Sequence, residues 1–156
     1  MTLKPLKRHK ALQPLSREHH FGLLLCWKIR MGIKNNIAVS RIATYASWFY
    51  QTHLIPHFRI EETVIFPILE ANHKYIIKAL EDHALIEHLF KNPIISEDDL
   101  KAIEQALEQH IRFEERILFP EIQKNASEAQ MFDIEKIHQS EPFQDNLTDE
   151  FWRKTD

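Results

Sequence analysis

Two stretches of the chain repeat a pattern that places a histidine four residues before a glutamate. The stretches span residues 57–67 and 110–120, and six of their eleven positions are identical. A helix turns about every 3.6 residues, so side chains four apart project from the same face. An imidazole and a carboxylate on one face can hold the same metal ion. The two predicted ligand pairs are His57 with Glu61 and His110 with Glu114.

The helical neighbours of these candidates are apolar. Around His110, the residues three, four and seven positions away are all apolar except Glu114. The same count around His83 leaves Glu87 as the one charged neighbour. Burying an imidazole and a carboxylate in an apolar stripe is costly unless they pair or bind a cation. We therefore predict His83 as a third metal-binding histidine, with Glu87 as a further candidate ligand.

Two adjacent histidines, His19 and His20, are the candidates on the first helix. The helical neighbours of His19 are the more apolar set, whereas those of His20 include Gln13 and Arg17. We favour His19 and keep His20 as the alternative. One inward histidine from each of four helices, with two bridging carboxylates, is the donor set of a dinuclear site in a bundle core.

The elements that must position these residues are helices. Only two glycines occur, and β-branched residues form no short alternating runs bounded by turn residues, which argues against a β-sandwich or β-barrel. The sequence predicts an all-α protein, an up-down-up-down four-helix bundle with a short extra C-terminal helical segment. Apolar spacing predicts the four helices over about 14–31, 39–69, 75–90 and 96–124. The expected divisions are an N-terminal tail over 1–11, the bundle over 12–124, and a C-terminal helix and tail over 125–156.

Three residues near the repeats have open roles. Glu62 and Glu115 each follow a predicted bridging glutamate, and we interpret them as outward-facing or as groups that orient a ligand. His53 lies one turn before His57 and can line a pocket, orient a ligand or simply pack. Pro56 removes a backbone hydrogen bond inside the second helix, so we expect a bend just before His57.

Composition narrows the classes of function. Cys26 is the only cysteine, which excludes a disulfide framework and a cysteine-rich metal site, and we interpret it as a core residue. The net charge of −3, with acidic and basic residues mixed, predicts no nucleic-acid partner. No apolar run approaches the roughly 18 residues of a membrane span, and no signal peptide is evident. We expect a cytoplasmic protein that does not bind a membrane.

The predicted ligands resemble those of the hemerythrin-like (HHE cation-binding) family over roughly residues 12–124. The residues that carry the resemblance are His19, the His57/Glu61 and His110/Glu114 pairs, and His83. The resemblance implies two iron ions with an oxo or hydroxo bridge. Imidazole and carboxylate also suit zinc or manganese, so the metal stays open. Ferritin-like di-iron proteins place glutamate three residues before histidine, the reverse of the order here.

The resemblance implies a small diatomic or peroxide ligand, O2, NO or peroxide, at an open iron position. Oxygen-carrying hemerythrins have a second histidine where this chain has Glu87. A carboxylate ligand there would stabilise ferric iron, which favours sensing, iron and oxygen handling or detoxification over reversible oxygen carriage. The alternative is a metal-stabilised helical interaction or regulatory module without small-ligand chemistry. Weak peroxide- or oxidase-type activity, any protein partner and the role of residues 127–156 stay open.

Overall fold

A computed structural model describes residues 7–137 and 142–153 of the chain. The described residues form helices and connecting turns, and no β-strand occurs among them, so the prediction of an all-α protein is confirmed. The α-helices are α1 (Gln13–Lys34), α2 (Val39–Phe49), α3 (Ile55–Ile60), α4 (Lys74–Lys91), α5 (Glu97–Phe113), α6 (Phe119–Asn125) and α7 (Glu128–Ile137). Within the described ranges, every helix is too short or too polar to cross a membrane.

Three π-helical turns extend these helices into longer helical stretches. The turns cover Tyr50–Leu54, Glu61–Ile65 and Glu114–Leu118, so the second stretch runs over residues 39–65 and the fourth over 97–125. The residue after each turn donates its backbone N–H to the carbonyl five positions earlier.

A proline follows each of these wide turns at the second position of the next helical segment. The three prolines are Pro56, Pro67 and Pro120. Proline has no N–H for the usual four-residue bond, and a wider turn accommodates that loss. Just before His57, where a bend is predicted, the structure has the π turn over Tyr50–Leu54. The Phe-Pro ends of the two repeats mark the other two turns.

The first helix packs against α2 and α5, and α5 also packs against α4. The apolar side chains form two clusters. One includes Cys26, Ile42, Phe49, Leu107 and Phe151, and the other includes Leu15, Ile65, Phe119, Ile122 and Ile134. Phe58 of the first cluster stacks on His83 at 3.9 Å, and Phe119 of the second stacks on His19 at 5.2 Å. The buried histidines therefore lie between the two clusters.

The C-terminal part of the chain contributes to both clusters. On α7, Met131 and Ile134 are buried in the cluster that contains Phe119. Phe151 and Trp152 are buried in the cluster that contains Phe49. Residues beyond the predicted bundle are therefore integral to the packing of both clusters.

Replacing Ile134 tests whether α7 is part of the cooperative core. Ile134 is 1% exposed, so Ile134→Ala should lower the free energy of unfolding by about 2–4 kcal/mol. Phe132→Ala is the matched control, because Phe132 lies on the same helix and is 56% exposed. Urea denaturation followed by circular dichroism measures both. Equal stability of the two variants would mean that α7 is not docked.

Candidate metal centre

Four histidines project into the space between the two apolar clusters, one from each of four helical stretches. His19 comes from α1, His57 from α3, His83 from α4 and His110 from α5, and none is more than 5% exposed. Their Nε2 atoms form two close pairs. The two nitrogens are 3.0 Å apart between His19 and His57, and 3.1 Å apart between His83 and His110.

Two glutamates complete the centre. Glu61 and Glu114 are fully buried, and each is the first residue of a π turn. Glu61 Oε1 lies 3.4 Å from His57 Nε2 and 3.2 Å from His83 Nε2. Glu114 contacts the Nε2 atom of His110. Each glutamate therefore faces the histidine of its own repeat, and Glu61 also reaches the opposite pair.

The donor atoms fall into two groups that share both glutamates. The first group consists of His19, His57, Glu61 and Glu114, and the second of Glu61, His83, His110 and Glu114. The donor atoms within each group lie within 4.8 Å of one another. One histidine pair lies on each side of the two shared carboxylates, and this arrangement can hold cations.

The unsatisfied polar atoms fit a bound cation. No oxygen of Glu61 or Glu114 accepts a hydrogen bond from any residue that the structure describes. A buried carboxylate left in this state is strongly unfavourable unless a positive charge compensates it. If two imidazole nitrogens bound one ion through bonds of about 2.1 Å at right angles to each other, the two nitrogens would be about 3.0 Å apart. The spacing within both histidine pairs matches that value.

A second set of carboxylates orients the histidines from outside. Each Nδ1 faces a carboxylate oxygen at 2.9–3.0 Å. The pairs are His19 with Glu115, His57 with Glu18, His83 with Glu62, and His110 with Asp82. A carboxylate that accepts the Nδ1 hydrogen fixes the ring and leaves Nε2 free to bind a metal. Every histidine of the centre is held in this way.

These contacts repeat with an approximate twofold relationship. On α1, Glu18 directly precedes His19 and orients His57 of the first repeat. On α4, Asp82 directly precedes His83 and orients His110 of the second repeat. In the two repeats, the acidic residue after the buried glutamate orients a histidine of α1 or α4. The two halves of the chain therefore contribute the same kinds of donor in the same order.

The electrostatics of the centre depend on the buried carboxylates. Burial alone lowers the pKa of His83, but the nearby carboxylates of Glu114 and Glu61 outweigh it and raise the pKa to about 10. Burial likewise opposes charge on His110, whereas Glu114 and Asp82 raise its pKa to about 9. Burial raises the pKa of Glu114, but the His110 charge holds it well below the usual range. Without a cation, protons on His83 and His110 therefore compensate the charge of the buried Glu114 carboxylate.

The structure brings six of the seven sequence-predicted ligands together. Glu87 is the exception, because its side chain is 49% exposed and its carboxylate lies 2.5 Å from Lys91 Nζ. The structure therefore corrects the prediction that Glu87 is a further ligand. Four residues advance a helix by a little more than one turn, and at this position the side chain emerges into solvent, where the lysine pairs with it. Of the two adjacent histidines, His20 is exposed and His19 lies in the centre.

Glu18 and Asp82 are site residues that the sequence analysis missed. Each immediately precedes a histidine of the centre, which is a sequence signal, but each orients a histidine on another helix. Glu62 and Glu115 occupy orienting positions, one of the two roles considered for them. His53 lines a cavity of about 1080 Å³ that also reaches His19, His57 and His110.

The donor set and its helical setting agree with a comparison against family models. The hemerythrin HHE cation-binding domain matches residues 31–122, more than half of the chain. The chain belongs to this family. Comparisons with curated proteins and with solved structures find no match. The matched range of the hemerythrin domain begins within α1 after His19, yet His19 lies in the same donor group as His57.

Removing an orienting carboxylate should weaken metal binding by this hemerythrin domain. Asp82→Ala leaves all six inner donors in place but frees the ring of His110, so metal affinity should fall about 10- to 100-fold. Glu87→Ala is the control on the same helix and should bind metal like the wild type. Competition with a chromophoric chelator gives both affinities. Equal affinities in the two variants would contradict the orienting role of Asp82.

The metal-free protein should lose stability as pH rises from about 6.5 to about 10. The folded-state pKa values of His83 and His110, about 10 and about 9, lie above their unfolded value, so their contribution is complete below about pH 6.5 and lost above the folded values. Urea denaturation of chelator-treated protein at pH 6.5 and 9.5 measures the slope. Glu114→Gln should flatten it, and an unchanged slope would contradict the assigned cause.

Proposed function

We propose that this hemerythrin domain holds two iron ions bridged by Glu61 and Glu114 and binds O2, NO or peroxide for sensing, iron and oxygen handling or detoxification. The observation that carries the proposal is the pair of donor groups that share both glutamates. Two separate mononuclear sites would need no shared carboxylates. The proposed bridge of solvent origin would be oxo or hydroxo.

The donor count supports an open position. Two octahedral ions offer about twelve positions, of which four imidazoles, two bridging carboxylates and a solvent-derived bridge would use about ten. Glu87 was a candidate for one of the remaining positions, and its location at the surface leaves that position free. When bound, the two ions would supply redox chemistry and a place for a small ligand.

The side chains of the chain itself would bind, orient and shield that centre. Glu115, Glu18, Glu62 and Asp82 hold the four imidazoles with their Nε2 atoms inward. Phe58 and Phe66 stack on the His83 ring, with ring centroids at 3.9 and 5.5 Å. These aromatic rings limit the access of water on that side. The cavity beside His19, His57 and His110 is the route by which a small ligand would reach the centre.

The surface position of Glu87 also bears on the redox preference of the proposed iron centre. A carboxylate ligand from α4 would stabilise ferric iron, but Glu87 does not supply one. What remains is a four-histidine donor set without the second histidine that oxygen carriers have on this helix. We propose sensing or peroxide-related chemistry on that smaller donor set.

We also propose the up-down-up-down order of four helical stretches over 12–124 and a cytoplasmic location, with no nucleic-acid or membrane partner.

Metal content per chain and the visible spectrum test the proposal together. The oxidised wild type should contain about two irons per chain and show new bands on addition of azide or peroxide. His57→Ala and His110→Ala should lose metal, because each variant removes one imidazole donor from the donor groups around the buried glutamates. His88→Ala, which replaces an exposed histidine of α4, should retain it.

Each contrary result has a definite meaning. A single ion, zinc in place of iron, or a spectrum that azide and peroxide leave unchanged would favour the metal-stabilised interaction module. Full metal content in both histidine variants would contradict the assignment of the centre itself.

A further inference from the structure

The cavity beside the centre is much larger than a diatomic ligand requires. Its volume is about 1080 Å³, whereas a water molecule occupies about 30 Å³ and pockets for organic ligands span about 300–1,000 Å³. Exposed residues such as Arg17 and Thr52 lie along its lining, so part of the wall reaches the surface. The space therefore has the dimensions of a site for an organic molecule.

The walls of the cavity are aromatic. Phe21 and Phe143 stack with centroids 4.1 Å apart, and Phe49 lies 6.2 Å from Phe143. Trp48 lies 5.2 Å from the His53 ring at a steep angle. Flat aromatic surfaces of this kind favour a planar ring that can stack or pack edge to face.

One polar atom in this wall lacks a partner. The Nε2 atom of His53 is buried and has no hydrogen-bond partner among the described residues. The His53 ring sits among Trp48, Phe49 and Phe143 at centroid distances of 4.8–5.2 Å. Burial lowers the pKa of His53, which favours the neutral ring. A buried group without a partner is costly, and a ligand that bonds to it recovers that cost.

The C-terminal segment forms one side of the cavity and is anchored firmly. Phe143 and Asp145 line the space, and Asp145 accepts hydrogen bonds from Lys28 and Tyr45, each at 2.5 Å. Lys28 is 2% exposed and lies 3.7 Å from the centroid of the Trp152 ring. This wall therefore has a defined position against α1 and α2.

We propose that the cavity binds an uncharged aromatic molecule that carries a hydroxyl group, with its ring against the wall that Phe143 and Trp48 contribute to and its hydroxyl on His53 Nε2. A hydroxyl both donates and accepts, so it suits either neutral tautomer of His53. An uncharged ligand is favoured because the neutral imidazole offers no compensating charge within the aromatic wall. The proposal does not rest on the identity of the metal.

Two probes that differ by one hydroxyl test the proposal, 2-naphthol and naphthalene. Calorimetry on the purified full chain should show saturable binding of 2-naphthol. In His53→Leu, the preference for 2-naphthol over naphthalene should fall by about threefold to tenfold, the worth of one hydrogen bond. His20→Leu replaces an exposed histidine and should leave the preference unchanged. Phe143→Ala should weaken both probes, whereas Phe132→Ala should weaken neither.

Neither His53 nor Phe143 is a proposed metal ligand, so the metal content and far-UV circular dichroism of their variants should match the wild type. The test therefore stands whether or not the iron proposal holds. Absence of saturable 2-naphthol binding would overturn the inference. An unchanged preference in His53→Leu, or undiminished binding in Phe143→Ala, would also overturn it.

Discussion

Two carboxylates buried without hydrogen bonds constrain the whole interior of this protein. Glu61 and Glu114 are removed from water, and apolar clusters flank the space they share. Such charge is tolerated only where positive charge meets it, from protonated imidazoles or from a cation. Helix positions, ring orientations and the acidic residues around the histidines all serve that balance. Packing and charge compensation therefore depend on each other, because the helices that bury the carboxylates also carry the histidine nitrogens.

The orienting carboxylates extend the same balance outward. His57 depends on Glu18 of α1, and His110 depends on Asp82 of α4, so each ring is fixed by a helix other than its own. This crossing makes the centre sensitive to helix placement as well as to side-chain identity. A small shift of α1 or α4 would change ring orientation and thus donor strength, which links the packing of the fold directly to metal affinity.

Sequence periodicity could reveal the ligands of the repeats, because a histidine and a glutamate four apart share a face of any helix. It could not place Glu87, because the same spacing does not tell which carboxylate turns inward once the helix is packed and Lys91 competes for it. Nor could it assign Glu18 and Asp82, whose partners are 39 and 28 residues away. Their roles depend on which helices become neighbours, and periodicity along one helix carries no such information.

The approximate twofold relationship has a consequence for how the molecule is assembled. Residues 13–68 carry one close nitrogen pair and residues 74–125 carry the other, so the shared glutamates sit at the seam between the halves. In symmetric oligomers, an isologous interface presents the same groups from both subunits. The two halves of the chain therefore meet at the centre in the way that two subunits meet at an isologous interface. The short connection over residues 69–73 keeps the two halves together, so forming the centre does not depend on protein concentration.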